Sequence, residues 1–308
     1  MEAVLQSGLD FVRLVQTMAS PPLTVFMYGI TRLGTVGAYM VLVPLVYWCF
    51  DEKKGLRLGT ALLVSAWLNL ALKFLLNQPR PFFPGYDPSL GMVAERLGGL
   101  PSGHAQHSLV VWIILASWGK KPVHYVLAAL FCLLMAFTRI YLGVHFPTDI
   151  LGGWLIAGLI LCAYFFAGKR LEALLESTPR AGMIACAALS FIMILYRPSI
   201  ELLLPGGLLL GMGTGFFLNR RNIGFSASAL CGRIGTAKYL TLVARFAFGI
   251  AGMALLFFAT ERVVPLFYGT DNYQLFFFLR FALLAIWATA GAPWLFKLLR
   301  LSGENKDE

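Results

Sequence analysis

Charge is scarce in this chain. Only 13% of its 308 residues are Asp, Glu, Lys or Arg, while 58% are hydrophobic and the mean hydropathy is +0.74. A soluble domain carries about 25% charged residues, so the composition excludes an ordinary soluble enzyme and places the chain among membrane proteins. Cysteine is sparse too. Cys49, Cys132, Cys162, Cys186 and Cys231 have neither disulfide-framework nor zinc-ligand spacing, and read as packing thiols. The N-terminus has no basic n-region followed by an apolar h-region, so no signal peptide is expected. The halves show no inverted repeat, which weighs against a transporter or flippase. The net charge of +10 does not imply nucleic acid as a partner, because the Lys and Arg residues lie mainly in short segments between apolar runs, as bilayer topology requires.

What the chain has in abundance is apolar sequence of spanning length. Runs at residues 23–49, 59–76, 102–118, 123–143, 147–167, 181–196, 200–218, 240–260 and 273–299 each approach the ~20 residues that cross the hydrocarbon core. The expected fold is therefore all-α, a polytopic transmembrane helix bundle of nine spans. Residues 1–20 alternate Leu5, Leu9, Val12 and Val15 with Gln6, Asp10, Arg13 and Gln16 at helical spacing, the pattern of an amphipathic interfacial helix. The polar stretch from Gly168 to Arg180 divides a core (21–168) from an accessory four-span region (169–308), and Arg197-Pro198 is expected to turn its first hairpin. Gly207, Gly211 and Gly215 repeat every four residues, as in close helix packing. Arg245 is expected to snorkel, and Arg280 to pair with Glu201 or Glu261 or to meet a lipid headgroup. If the Asp51 loop is cytoplasmic, only Arg13, Arg80, Arg96, Arg139, Arg197 and Arg262 fall on the opposite side. That bias predicts an N-out, C-in chain.

The ends of the spans carry the chemistry. Lys73 and Arg80 are close to two helical turns apart before a Pro-rich stretch, and a lysine at that depth needs a polar cavity. Pro101-Ser102-Gly103-His104 opens a span. Ser102 suits an N-cap, Gly103 permits close approach of a ligand, and the free amides of a helix start attract anions. Arg139 closes the next span, His145 stands before Pro147, and Asp149 follows one turn later, where its carboxylate can take the Nδ1 proton of His145. On the predicted topology all of these groups lie on the non-cytoplasmic side. His107, one turn after His104, is expected to pack.

The ordered pattern Lys-x6-Arg-Pro, Pro-Ser-Gly-His and Arg-x5-His-x3-Asp resembles the type 2 phosphatidic acid phosphatase (PAP2) superfamily, which includes lipid phosphate phosphatases, glucose-6-phosphatase and vanadium haloperoxidases. The chain departs from the usual pattern at Gln78-Pro79, where a second Arg-Pro is common, and at Thr138, where Ser often precedes the arginine. The resemblance implies metal-independent phosphomonoester hydrolysis with no cofactor. His145 would attack phosphorus to form a phosphohistidine, Asp149 would orient it, and His104 would protonate the leaving oxygen and then activate water. Lys73, Arg80, Ser102, Gly103 and Arg139 would hold the phosphoryl oxygens. The extended C-terminal half resembles that of sphingosine-1-phosphate phosphatases. The expected substrate is a membrane lipid phosphate met at the non-cytoplasmic face of a bacterial cell membrane, with a soluble sugar phosphate, or transfer to an alcohol, as the alternatives. The sequence sets no oligomeric state.

Overall fold

A computed structural model describes residues 2–196, 199–230 and 234–302. The expected turn at Arg197-Pro198, as well as Cys231, Arg233 and Lys306, lies outside the described residues. Every regular element among the described residues is helical. In chain order they are α1 (Glu2–Gln16), α2 (Pro21–Arg32), α3 (Val36–Cys49), α4 (Glu52–Leu76), α5 (Gly103–Gly119), α6 (Pro122–Tyr141), α7 (Pro147–Ser177), α8 (Pro179–Tyr196), α9 (Ile200–Leu218), α10 (Gly235–Glu261), α11 (Val264–Phe267), α12 (Tyr273–Ile286) and α13 (Ala292–Leu298). Single π-helical turns at Asn219–Ile223 and Trp287–Gly291 extend α9 and join α12 to α13. The polar stretch after Gly168 continues α7 as helix through Ser177.

Six of these helical stretches are long and apolar enough to cross a membrane, and a seventh results if α2 and α3, bent by 48° at their junction, count as one. This falls short of the nine spans expected from hydropathy. The difference lies in α5, with 17 residues, and α8, whose apolar stretch Arg180–Tyr196 is too short for the criterion. Both helices match the short apolar runs read from the sequence, 102–118 and 181–196, which already lie below the ~20 residues that cross the hydrocarbon core.

The chain divides into two compact units, one formed by residues 1–39 and 64–166, the other by 40–63 and 167–308. In the first, α1 buries Leu5, Leu9, Val12 and Val15 in a core with Tyr141, Leu142, Val144 and Phe146. Burying such side chains fully stabilises by roughly 1.5–3 kcal/mol each. Gly143 makes the turn between α6 and α7 feasible. Its φ is +69°, a region that favours glycine, and a Cβ there would lie 2.0 Å from the Leu90 carbonyl oxygen. The loop between α4 and α5 is fastened along its length. Gln16 donates to Leu90 O at 2.8 Å and Tyr141 O at 2.9 Å, Arg13 pairs with Asp87 at 3.0 Å, and Tyr28 donates to Met92 O.

In the second unit the glycine repeat seats α9 directly on α12. A Cβ at Gly207 would approach Phe278 O to 2.5 Å, and one at Gly211 would approach Ala282 O to 2.1 Å. Arg245 does not snorkel. It is fully buried and donates to the carbonyls of Trp48, Ala227, Ala229 and Leu301, so backbone carbonyls rather than water satisfy it. Arg280 pairs with Glu261 and stacks 4.4 Å over Phe257. Cys49, Cys132, Cys162 and Cys186 are free thiols.

The glycine contacts lead to a paired stability measurement. Gly211→Ala must push two helix backbones apart and should destabilise by about 1–3 kcal/mol or more, lowering the midpoint of thermal unfolding in detergent. Gly158→Ala, where a Cβ meets nothing within 4 Å, should leave the midpoint unchanged or slightly raised.

Candidate active site

Four helix ends in the first unit bring the site together. Lys73 stands in the last turn of α4, His104 in the first turn of α5, Arg139 in the last turn of α6 and Asp149 in the first turn of α7. Ends are suited to this role because their backbone groups are unsatisfied. Ser102 N donates to Asp149 O at 2.9 Å, so the turn before α5 is held on the first turn of α7. Gly153 allows the approach, since a Cβ there would lie 2.7 Å from Ser102 O.

The Asp149 side chain is wholly buried. Its Oδ2 accepts from His145 Nδ1 and from the Phe146 amide, each at 3.0 Å, and its Oδ1 accepts from Gln78 Nε2 at 2.8 Å. Breaking a buried charge arrangement of this kind by removing one partner costs about 3–5 kcal/mol. The other nitrogen of His145, Nε2, lies 3.2 Å from Arg80 Nη1. A guanidinium only donates, so Nε2 must accept and the ring proton must sit on Nδ1, facing Asp149. Two independent partners thus select the tautomer whose lone pair is on Nε2. Burial, and then the charges of Arg80, Lys73 and Arg139, hold the His145 imidazole well below its ordinary range, which keeps that lone pair free of a proton.

Both arginines are buried, Arg80 at 2% and Arg139 at 1% exposure. Arg80 donates through Nε to Leu97 O at 2.7 Å and through Nη1 to Val144 O at 2.8 Å. Arg139 donates through Nη1 to Thr31 Oγ1 at 2.7 Å and through Nη2 to Glu95 Oε1 at 2.6 Å. Glu95 Oε2 also lies 3.5 Å from Arg80 Nη2. Among the site side chains singled out from the sequence, Arg139 Nε and the Ser102 hydroxyl are buried donors without a protein partner. Ser102 occupies the N-cap position of α5, yet its side chain makes no capping bond. Arg139, Arg80 and Lys73 are within electrostatic reach of His104, as His104 is of His145. Gly34, at the junction of α2 and α3, packs on His104, since a Cβ there would lie 2.9 Å from its Cδ2.

Lys73 donates to Gly98 O at 2.6 Å and Gly99 O at 2.9 Å, leaving one of its three N–H groups. It is the last member of a polar stripe, Ser65, Asn69 and Lys73, at four-residue spacing on one face of α4. Asn69 donates to Pro101 O at 3.1 Å and to Gln106 Oε1 at 2.8 Å, and Gln106 donates to Ser65. Ser65 Oγ lies 2.9 Å from His107 Nδ1. His107 therefore belongs to the network that supports the Pro101–His104 turn.

The same stretch of chain matches known proteins. Residues 54–171 match the PAP2 superfamily, and residues 204–304 match the PAP2 superfamily phosphatase, transmembrane extension. Phosphatidylglycerophosphatase B of Bacillus subtilis (strain 168) is 31% identical over 46% of this chain and 72% of its own length. The chain belongs to the PAP2 superfamily. The lipid phosphate phosphatase delta of Arabidopsis thaliana is 25% identical over 63% of this chain and 50% of its length, and sphingosine-1-phosphate phosphatase 2 of Mus musculus is 26% identical over 48% and 43%. The chain thus spans about half the length of the plant and mouse relatives or less.

Within this PAP2 core every residue singled out from the sequence, from Lys73 to Asp149, lies at the clustered helix ends. Two polar partners have no role assigned from the sequence. Gln78, standing where the family pattern favours arginine, holds the free oxygen of Asp149, and Glu95, in the loop, bridges the two arginines. A polar residue inside a Pro/Gly-rich loop was the available signal, and it is a weak one. Among the described residues no three His, Cys, Asp or Glu side chains are placed to hold a metal ion.

The inferred tautomer can be read directly. Nitrogen NMR of protein labelled at histidine, with His145 assigned by loss of its signals in His145→Asn, should show a neutral ring protonated at Nδ1 from pH 8 down to pH 6, below the ordinary imidazole pKa of about 6.5. A ring that is protonated on Nε2, or charged near pH 6.5, would contradict the arrangement.

Proposed function

We propose that this protein is an integral membrane lipid phosphate phosphatase that works through a phosphohistidine at His145. The observation that carries the reading is the Nε2 lone pair of His145, set by Asp149 behind it and flanked by buried arginines. His145 Nε2 attacks phosphorus in line with the departing alkoxide, and the Nδ1 proton stays on the ring, shared with Asp149. His104 gives a proton to the leaving oxygen. As a neutral imidazole it then takes one from water, which attacks the phosphohistidine and frees orthophosphate.

Arg80 plays two parts in this scheme. Before substrate binds, its Nη1 donates to His145 Nε2. A phosphoryl oxygen takes over that donor and so frees the lone pair as the phosphorus arrives. Arg139 Nε, the Ser102 hydroxyl and the amides at the start of α5 supply the remaining donors, and the third N–H of Lys73 adds charge. Phosphoryl transfer needs mainly such positioning and charge stabilisation.

The substrate class follows from place. A phosphate site at helix ends takes a headgroup whose tails stay in lipid, and relatives are named for lipid phosphates. In this reading α5 and α8 cross the membrane as well, giving nine spans with the N-terminus outside. A 17-residue helix sits at the lower end of the spanning range. The α1 helix lies in the interface, where its exposed Phe11 and Leu14, and Met18 just beyond its end, meet lipid. The site faces the exterior of a bacterial cell membrane, residues 21–168 form the catalytic region, and 169–308 form an accessory region.

Detergent-purified protein should release phosphate, without added metal and in the presence of a chelator, from at least one of phosphatidic acid, phosphatidylglycerol phosphate, sphingosine-1-phosphate or an isoprenyl phosphate. His145→Ala should lower the rate by at least about a thousandfold. Release from glucose-6-phosphate alone would replace the lipid assignment, and substantial turnover by the variant would remove the mechanism.

A further inference from the structure

Glu95 makes contacts that the proposed reaction does not use. Its two carboxylate oxygens reach different arginines, Oε1 to Arg139 Nη2 at 2.6 Å and Oε2 to Arg80 Nη2 at 3.5 Å. A phosphoryl group gripped by the forks Arg80 Nη1/Nη2 and Arg139 Nε/Nη2 would need both Nη2 groups that Glu95 holds. A carboxylate and a phosphoryl group are both planar or near-planar pairs of acceptors to a guanidinium fork, so one stands in for the other chemically.

We propose that Glu95 is an internal surrogate for the phosphoryl group. It occupies Arg80 and Arg139 until substrate arrives, is displaced by the phosphoryl oxygens, and returns to expel orthophosphate after hydrolysis. The idea rests on the phosphatase reading of the same site and adds a residue to it.

Three observations support displacement over a fixed structural role. First, the Glu95 side chain is 28% exposed, whereas Asp149 is wholly buried and held by three donors. Second, Glu95 lies in non-helical backbone between two fastened points, Met92 N on Leu142 O and Leu97 O on Arg80 Nε. Residues between those points can rotate a side chain outward without unfastening the loop. Third, each arginine keeps its position without Glu95. Arg80 retains the carbonyls of Leu97 and Val144, and Arg139 retains Thr31. Removing the carboxylate therefore leaves a preformed grip. Its charge opposes a phosphate dianion at the same place, so ligand and carboxylate exclude each other, and apparent affinity falls by the fraction of time the carboxylate is in place.

The test compares the wild-type chain with Glu95→Gln, which keeps shape and drops charge, and with Glu95→Ala. Hydrolysis of the lipid phosphate is followed through the dephosphorylated lipid, so that added orthophosphate can serve as competitor. Displacement requires the inhibition constant for orthophosphate and the KM to fall together by about tenfold in both variants, with kcat unchanged or reduced where product release limits turnover. A structural role requires the opposite, weaker inhibition and a higher KM. Unchanged or weakened inhibition in either variant, with wild-type unfolding midpoint, overturns the surrogate while leaving the hydrolase reading intact. Absence of any hydrolysis by wild-type protein overturns both.

Discussion

A carboxylate with no contact to water is the constraint on which this site depends. Asp149 gathers donors from three segments that are remote in sequence: Gln78 after α4, Phe146 and His145 before α7, and, through its backbone carbonyl, Ser102 before α5. Burying it is tolerable only because each oxygen is satisfied. The requirement works in both directions. The carboxylate fixes the protonated nitrogen of His145, and the segments held to Asp149 carry the Pro101–His104 turn and the loop with Glu95.

Around that centre the helices contribute mainly their ends. The N-terminus of α5 presents amides, the C-termini of α4 and α6 deliver Lys73 and Arg139, and Gly143 turns the chain so that His145 follows within six residues of Arg139. Tight packing beneath makes these positions reproducible. Val144 and Phe146, on either side of His145, are fully buried, and Gly99 lets the loop come close, since a Cβ there would lie 2.6 Å from Asp149 Oδ2. The polar stripe of Ser65, Asn69 and Lys73 supports the Pro101–His104 turn from inside an otherwise apolar helix.

Much of this was legible in the sequence, for identifiable reasons. Long apolar runs read as helices because a bilayer leaves few other options, and the cations and histidines at the ends of those runs can be grouped from their order along the chain alone. The number of spans was less legible. Hydropathy marks apolar stretches without fixing whether each one spans, and the stretches that form α5 and α8 are themselves shorter than a full span. Arg245 was misread because its partners, the carbonyls of Trp48, Ala227, Ala229 and Leu301, come from distant parts of the chain. Gln78 and Glu95 were missed on the same grounds. Gln78 meets Asp149 across 71 positions, and no local pattern reports such a pairing.

The most direct measurement is the capture of the covalent intermediate. Protein mixed with a phosphorus-labelled lipid phosphate would be quenched within milliseconds to seconds, digested, and mapped by mass spectrometry under alkaline conditions that preserve phosphohistidine. Expected is label on Nε2 of His145, appearing before orthophosphate is released and absent from His145→Ala. Turnover with no labelled protein at any time, or label on another residue with His145 unmodified, would contradict nucleophilic attack by His145.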